Sequence, residues 1–162
     1  MGVSEGYAIV LGLCTLVSLG LAARLWPARG KPGGYPLLGM MCSIAIWCFA
    51  AIFETVAPDL AGKIAWSTTE YLAIPFIAPL VFAYSVSFSG RRWAMGLRML
   101  PLGGIPLATF LLALTNGRHH LIWASTALPP GGPVGSLVVS HGAWFTVHMV
   151  YSYTLLVAAT VI

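Results

Sequence analysis

Four side chains able to carry a proton stand where the surrounding sequence is apolar. Glu54 lies in FAAIFETV and Glu70 in STTEYLAI, while His141 and His148 share the stretch HGAWFTVHMVYSY. A charged group deep in a membrane helix costs roughly 2.5–3.5 kcal/mol on insertion scales. Such a group is kept where it packs against a partner or serves a site. The chemistry these types offer is proton uptake and release, or hydrogen bonding to a ligand. Other chemistry lacks its parts. No His-Glu-x-x-His motif and no glycine-rich nucleophile elbow is present, and no Asp or Glu sits close in sequence to a histidine. His141 and His148 are spaced i,i+7, whereas i,i+4 suits a shared metal. No metal, no cofactor and no catalysis by this chain itself are therefore expected.

The elements that position these residues must be membrane helices. The chain has 162 residues, 59% of them hydrophobic and 7% charged, against about 25% charged in an ordinary soluble domain. Both a soluble fold and disorder are excluded. Five apolar runs stand out, at residues 7–26, 36–57, 64–88, 97–114 and 141–162, with a loop at 115–140. A span needs about 20 such residues, and backbone groups in lipid must be satisfied within the helix. The expected fold is all-α: a polytopic transmembrane helix bundle of about five spans, forming one sensor domain over 1–162. Pro75 and Pro79 should bend the third run. Pro101, Gly103, Gly104 and Pro106 should kink or unwind the start of the fourth.

Charge sets the expected orientation. Arg24, Arg29 and Lys31 follow the first run, and Arg91, Arg92 and Arg98 lie between the third and fourth; only Lys63 and Arg118 stand on the other side. This positive-inside bias places the N-terminus outside. The fifth run reaches Ile162 still apolar and without a basic anchor, so the domain is expected to be incomplete at its C-terminus. The net charge of +4 is spread over the ends of apolar runs, so no nucleic-acid partner is expected. Cys14, Cys42 and Cys48 fall inside apolar runs and read as small hydrophobes.

Helical spacing groups the polar residues. Ser43, Trp47 and Glu54 share a narrow arc of the second run, and Trp66 and Glu70 are an i,i+4 pair. His141, Trp144, His148, Tyr151 and Ser152 would make one stripe down the fifth run. The loop carries Asn116, His119, His120 and Trp123. These residues are expected to converge on a ligand- or proton-sensing pocket open to the outer side. Its candidate signal-binding residues are Glu54, Trp66, Glu70, Trp123, His141, Trp144, His148 and Tyr151. A plainer reading has the buried carboxylates and histidines only fixing the packing. The alternative function is a small membrane redox, haem or proton-relay transport protein. Haem usually wants two axial ligands from facing spans, and His148 is the single deep histidine.

Four stretches also carry a resemblance. FETVAPDLAGKIAWSTTEYLAIPFIAP (53–79), FAYSVSFSGRRW (82–93), LTNGRHHLIW (114–123) and HGAWFTVHMVYSYTLL (141–156) resemble the N-terminal seven-helix membrane sensor module of bacterial histidine kinases and diguanylate cyclases. The likeness covers roughly residues 40–160. It implies structural-motif roles for Lys63, Tyr71, Pro75, Asn116 and His120, beside the characteristic positions Glu54, Trp66, Trp123, Trp144, Tyr151 and Tyr153. It implies seven spans, a multi-pass location in the bacterial cytoplasmic (inner) membrane, and a lipid bilayer around the chain. It further implies a kinase or cyclase output domain in the same chain, a possible homodimer and a small ligand of unknown identity.

Overall fold

The structure, a computed structural model, describes residues 3–89, 101–132 and 134–162. Helices α1 (Val3–Leu25) and α2 (Gly34–Val56) pack as an antiparallel pair. Small side chains let the two come close: Thr15, Ser18 and Ala22 are buried on α1, and Ala45, Cys48 and Ala51 on α2. The corner between them needs glycine twice. Gly33 has a φ of 76°, and a Cβ on Gly34 would stand 2.6 Å from the carbonyl oxygens of Ala28 and Arg29.

The third apolar run folds as two helices, α3 (Leu60–Glu70) and α4 (Ile74–Phe88). Asp59 starts α3, its Oδ1 accepting from the Gly62 amide at 2.9 Å. Pro75 ends it, because proline has no N–H for the carbonyl four residues back. The chain makes tighter i→i+3 bonds instead: Tyr71 N–H to Thr68 O at 3.2 Å, Leu72 N–H to Thr69 O at 3.0 Å and Ala73 N–H to Glu70 O at 2.9 Å. Leu60–Phe88 is still long and apolar enough to cross a membrane. So are Gly6–Ala28, Gly34–Val56 and Ala143–Val161, four stretches among the described residues.

The fourth expected run is described only in part. Its described part is a 3-10 turn at 101–103 followed by helix α5 (Gly104–Leu114); the 11 residues of α5 at 1.5 Å per residue are about 16 Å long. That is half of a hydrocarbon core of about 30 Å. Residues 97–100 of the run lie outside the described residues, as do Arg91, Arg92 and Arg98.

The expectation of an all-α chain is corrected at 115–140. A one-turn helix α6 (Asn116–His119) leads into an antiparallel hairpin of β1 (Trp123–Ala127) and β2 (Val138–His141). Thr126 pairs with Val139 and Ala127 with Val138, with an irregularity between Trp123 and Ser125. Helix α7 (Ala143–Val161) then begins two residues later than the sequence pattern indicates. His141 therefore belongs to β2, and the polar stripe of the fifth run starts at Trp144. The strand-to-helix corner is Gly142, whose amide donates to Ile122 O at 2.8 Å. A Cβ there would run into the carbonyl oxygens of His120 and Leu121. Gly142→Ala is accordingly expected to cost about 1–3 kcal/mol as an overpacked site; thermal unfolding in detergent micelles measures it.

Tyr71, Ala113, Ile122 and Trp123 form the buried core at this end, with Phe110 and Trp144 packed against them. The hairpin thus sits over the end of the bundle where α2 stops and α3 and α7 start.

Candidate functional site

The hairpin is tied down by a lysine. Lys63, in the first turn of α3, is wholly buried. Its Nζ donates to Glu54 O at 2.6 Å, Thr55 O at 3.2 Å and Gly135 O at 2.5 Å. The first two are last-turn carbonyls of α2, which have no partner within the helix, and a cation at a helix C-terminus also meets the negative end of its dipole. The third belongs to the segment before β2. Gly135 returns a bond from its own amide to Thr55 O at 3.1 Å, and the buried Glu54 carboxylate accepts from the Leu137 amide. Five hydrogen bonds, three of them from Lys63, thus latch Gly135 and Leu137 to the end of α2. Glu54→Gln keeps an acceptor for Leu137 and is expected to cost under about 1 kcal/mol, whereas Glu54→Ala should cost about 2–3 kcal/mol; chemical denaturation in micelles separates the two.

On the other side of the hairpin, Asn116 is a hub. Its Oδ1 accepts from the amides of Ile122 at 2.9 Å and Trp123 at 3.0 Å, and its Nδ2 donates to Trp123 O at 3.0 Å. These bonds fold the chain back after α6, helped by His120 with a φ of 54°. They hold the Trp123 indole, 3% exposed, edge-on to Tyr71 with ring centroids 5.3 Å apart. Beside Trp123 lies a cleft of about 270 Å³, walled by Thr68, Ala113, Asn116, Gly117, His120 and Thr126 among others. No Asp, Glu, Lys or Arg lines it. It offers an aromatic wall, hydroxyls and an imidazole to a small, uncharged or weakly anionic molecule.

Along α7 the expected residues act between helices. The Trp144 indole donates to Thr109 Oγ1 at 2.9 Å, joining α7 to α5. The Tyr151 hydroxyl donates to Leu102 O, in the turn before α5. His148 is buried, and its Nε2 lies 3.2 Å from Ser152 Oγ. His141, in β2, is exposed and stacks on Phe145 with centroids 3.6 Å apart.

Trp66 and Glu70 occupy the α2–α3 face. Trp66 stacks on Phe53 with centroids 4.6 Å apart and an interplanar angle of 22°. It walls an apolar cleft of about 410 Å³ with Thr15, Cys42 and Phe49. The Thr15 and Thr69 hydroxyls there donate to their own helices, at 2.9 Å each. Glu70, half-buried, ends α3 one turn on from Trp66.

The eight candidate signal-binding residues are therefore distributed over four places. Glu54 joins Lys63 in the latch. Trp123 lines the cleft with Asn116 and His120. Trp144, His148 and Tyr151 line the seams of α7, with His141 above them. Trp66 and Glu70 share the α2–α3 face. Gly135, Leu137, Thr109 and Leu102 complete these contacts, and sequence reading missed all four. Three of them act through backbone atoms, which leave no side-chain signal.

The model of one protein family, described as the N-terminal 7TM region of histidine kinase, matches residues 10–162. No curated protein and no solved structure matches the chain.

Proposed function

Since the chain belongs to the family of N-terminal 7TM regions of histidine kinases, we propose that it is a sensory input module whose signal is bound at the hairpin end and passed to a cytoplasmic output domain. The output is a kinase, or a related cyclase, carried by the same full-length protein, which resides in a bacterial inner membrane and works as a homodimer. The observation that carries this reading is the cleft beside Trp123. Its walls come from α3, α5, α6 and β1, so a molecule bridging them favours one arrangement of these segments over another. A signal shifts a packing equilibrium only through such differential binding.

The hairpin end is the extracytoplasmic side. Arg24, Arg29 and Lys31 lie at the opposite end, where Gly33 meets Tyr84 and Phe88 of α4, and cationic loops stay inside. Trp123 and His120 contact the ligand in this reading. Glu54, Trp144, His148 and Tyr151 hold the frame that the ligand biases, and Glu70 with Trp66 senses from within the bilayer. Ser125 in β1 is exposed and tests the orientation. In a full-length protein with Cys14, Cys42 and Cys48 replaced by alanine, Ser125→Cys should react with a membrane-impermeant maleimide in intact cells. Reaction only after lysis would place the hairpin in the cytoplasm and contradict an extracytoplasmic input.

A further inference from the structure

We propose that His119 is a proton-binding site that acts on the start of α7; this rests on the sensory reading above for what lies downstream, and it names the proton as a signal of that module. The site is built from hydrogen bonds. The Thr115 hydroxyl donates to Leu111 O at 2.9 Å. Toward His119 Nε2, 3.0 Å away, that oxygen is therefore an acceptor, and Nε2 carries the ring hydrogen. Nδ1 accepts from the Leu121 amide at 3.1 Å, so it carries none. The network assigns the ring one neutral tautomer with both nitrogens engaged. An added proton has one place to go, Nδ1, and there it meets the Leu121 N–H. Two donors face each other and the bond to Leu121 is lost.

Leu121 is where that loss matters. Its carbonyl accepts from the Trp144 amide at 2.9 Å, and Ile122 O accepts from the Gly142 amide at 2.8 Å. Helix α7 has no side-chain cap, so these carbonyls serve amides that have no partner inside the helix. Ile122 stays pinned, because Asn116 Oδ1 accepts from its amide at 2.9 Å. Leu121 has His119 in that role. Protonation frees Leu121 while Ile122 is held, and the displacement falls on the Leu121–Trp144 bond. Trp144 in turn joins α7 to α5 through Thr109.

The surroundings decide the sign. His119 is half-buried, within reach of water. No carboxylate stands on α5, α6, β1 or β2, so an imidazolium finds no counter-ion on these elements. Arg118 and the exposed His120 flank His119 in the chain, and β2 adds His141, stacked on Phe145. At the start of α3, Asp59 is bonded to the Gly62 amide and Lys63 is bonded in the latch. Tyr71 is buried against Trp123, and His148 is buried deeper on α7. The bonded arrangement holds one proton fewer than the released one. It is favoured at neutral pH and lost in acid.

The test is hydrogen exchange by mass spectrometry on the full-length protein in lipid nanodiscs, read as protection corrected for the intrinsic rate at each pH. Between about pH 7.5 and about pH 5, which span the range where imidazoles change charge, protection of the Leu121 and Trp144 amides should fall roughly fivefold, the scale of one lost hydrogen bond. The Ile122 amide should keep its protection. In His119→Asn and His119→Ala the pH response should vanish. The first should stay protected at both pH values, since its Oδ1 takes the place of Nδ1 and does not titrate; the second should be unprotected at both. His120→Gln and His141→Gln should respond as wild type does. Wild-type protection that ignores pH overturns the proposal. So does an acid loss that survives in His119→Asn, or one abolished by His120→Gln or His141→Gln. Both faces of a nanodisc meet the buffer and no output is read, so the result is separate from the orientation read at Ser125.

Discussion

Replacement of Lys63 by methionine is expected to release the hairpin from the bundle at a cost of about 3–5 kcal/mol, through lost hydrogen bonds to a charged donor and acceptors left unsatisfied. Methionine preserves most of the volume and removes the ammonium, so the loss reports on the three carbonyls rather than on packing. Glu54 O and Thr55 O would be left at a buried helix end and Gly135 O would lose its donor. The Gly135 and Leu137 amide bonds to α2 remain, which sets the upper bound. Thermal unfolding in micelles gives the loss, and limited proteolysis between residues 128 and 137 reports release of the hairpin. A loss under about 1 kcal/mol with an unchanged proteolysis rate would show that the latch does not hold the hairpin.

The second large effect is expected at Asn116. Its side chain makes three hydrogen bonds to the backbone of Ile122 and Trp123, all buried, and no neighbouring side chain duplicates them. Asn116→Ala should cost about 3 kcal/mol. The loss should be local: the Ile122 and Trp123 amides should lose their exchange protection while those of α2 keep it. Uniform loss over the whole chain would mean that Asn116 supports the fold at large and not the cleft wall.

Much of this architecture is legible in the residues. Apolar length marks the four described stretches able to cross a membrane, and Pro75 with Pro79 marks the bent third run, although the complete break at Tyr71–Ala73 follows only once the i→i+3 bonds are seen. The hairpin is harder to read. Its strands are five and four residues long, too short for alternation to be distinguished from a polar loop, and their pairing is set by Asn116 and Gly142 rather than by pattern. His141 shows the consequence, since a spacing that fits a helix is interrupted by a glycine corner. Lys63 reads as an outer-side charge by position, yet a long stem lets its amine reach carbonyls that only the end of α2 exposes. The family of the chain was legible from Phe53–Pro79, Leu114–Trp123 and His141–Leu156, and the family match covers all three. The distribution of the polar residues over separate places was not legible. Helical spacing puts residues on one face but does not say which neighbour that face meets.

The central claim is that the cleft beside Trp123 receives the signal. Gly117 lines that cleft, and a Cβ placed on it meets nothing within 4 Å, so Gly117→Trp fills the space without a clash in the fold. The decisive measurement is the output activity of the full-length protein in membrane vesicles, autophosphorylation for the proposed kinase, with and without the stimulus that most changes the wild-type rate. The variant should match wild type in membrane level and unfolding temperature, and should no longer respond to the stimulus. A full response from a filled cleft would contradict the account.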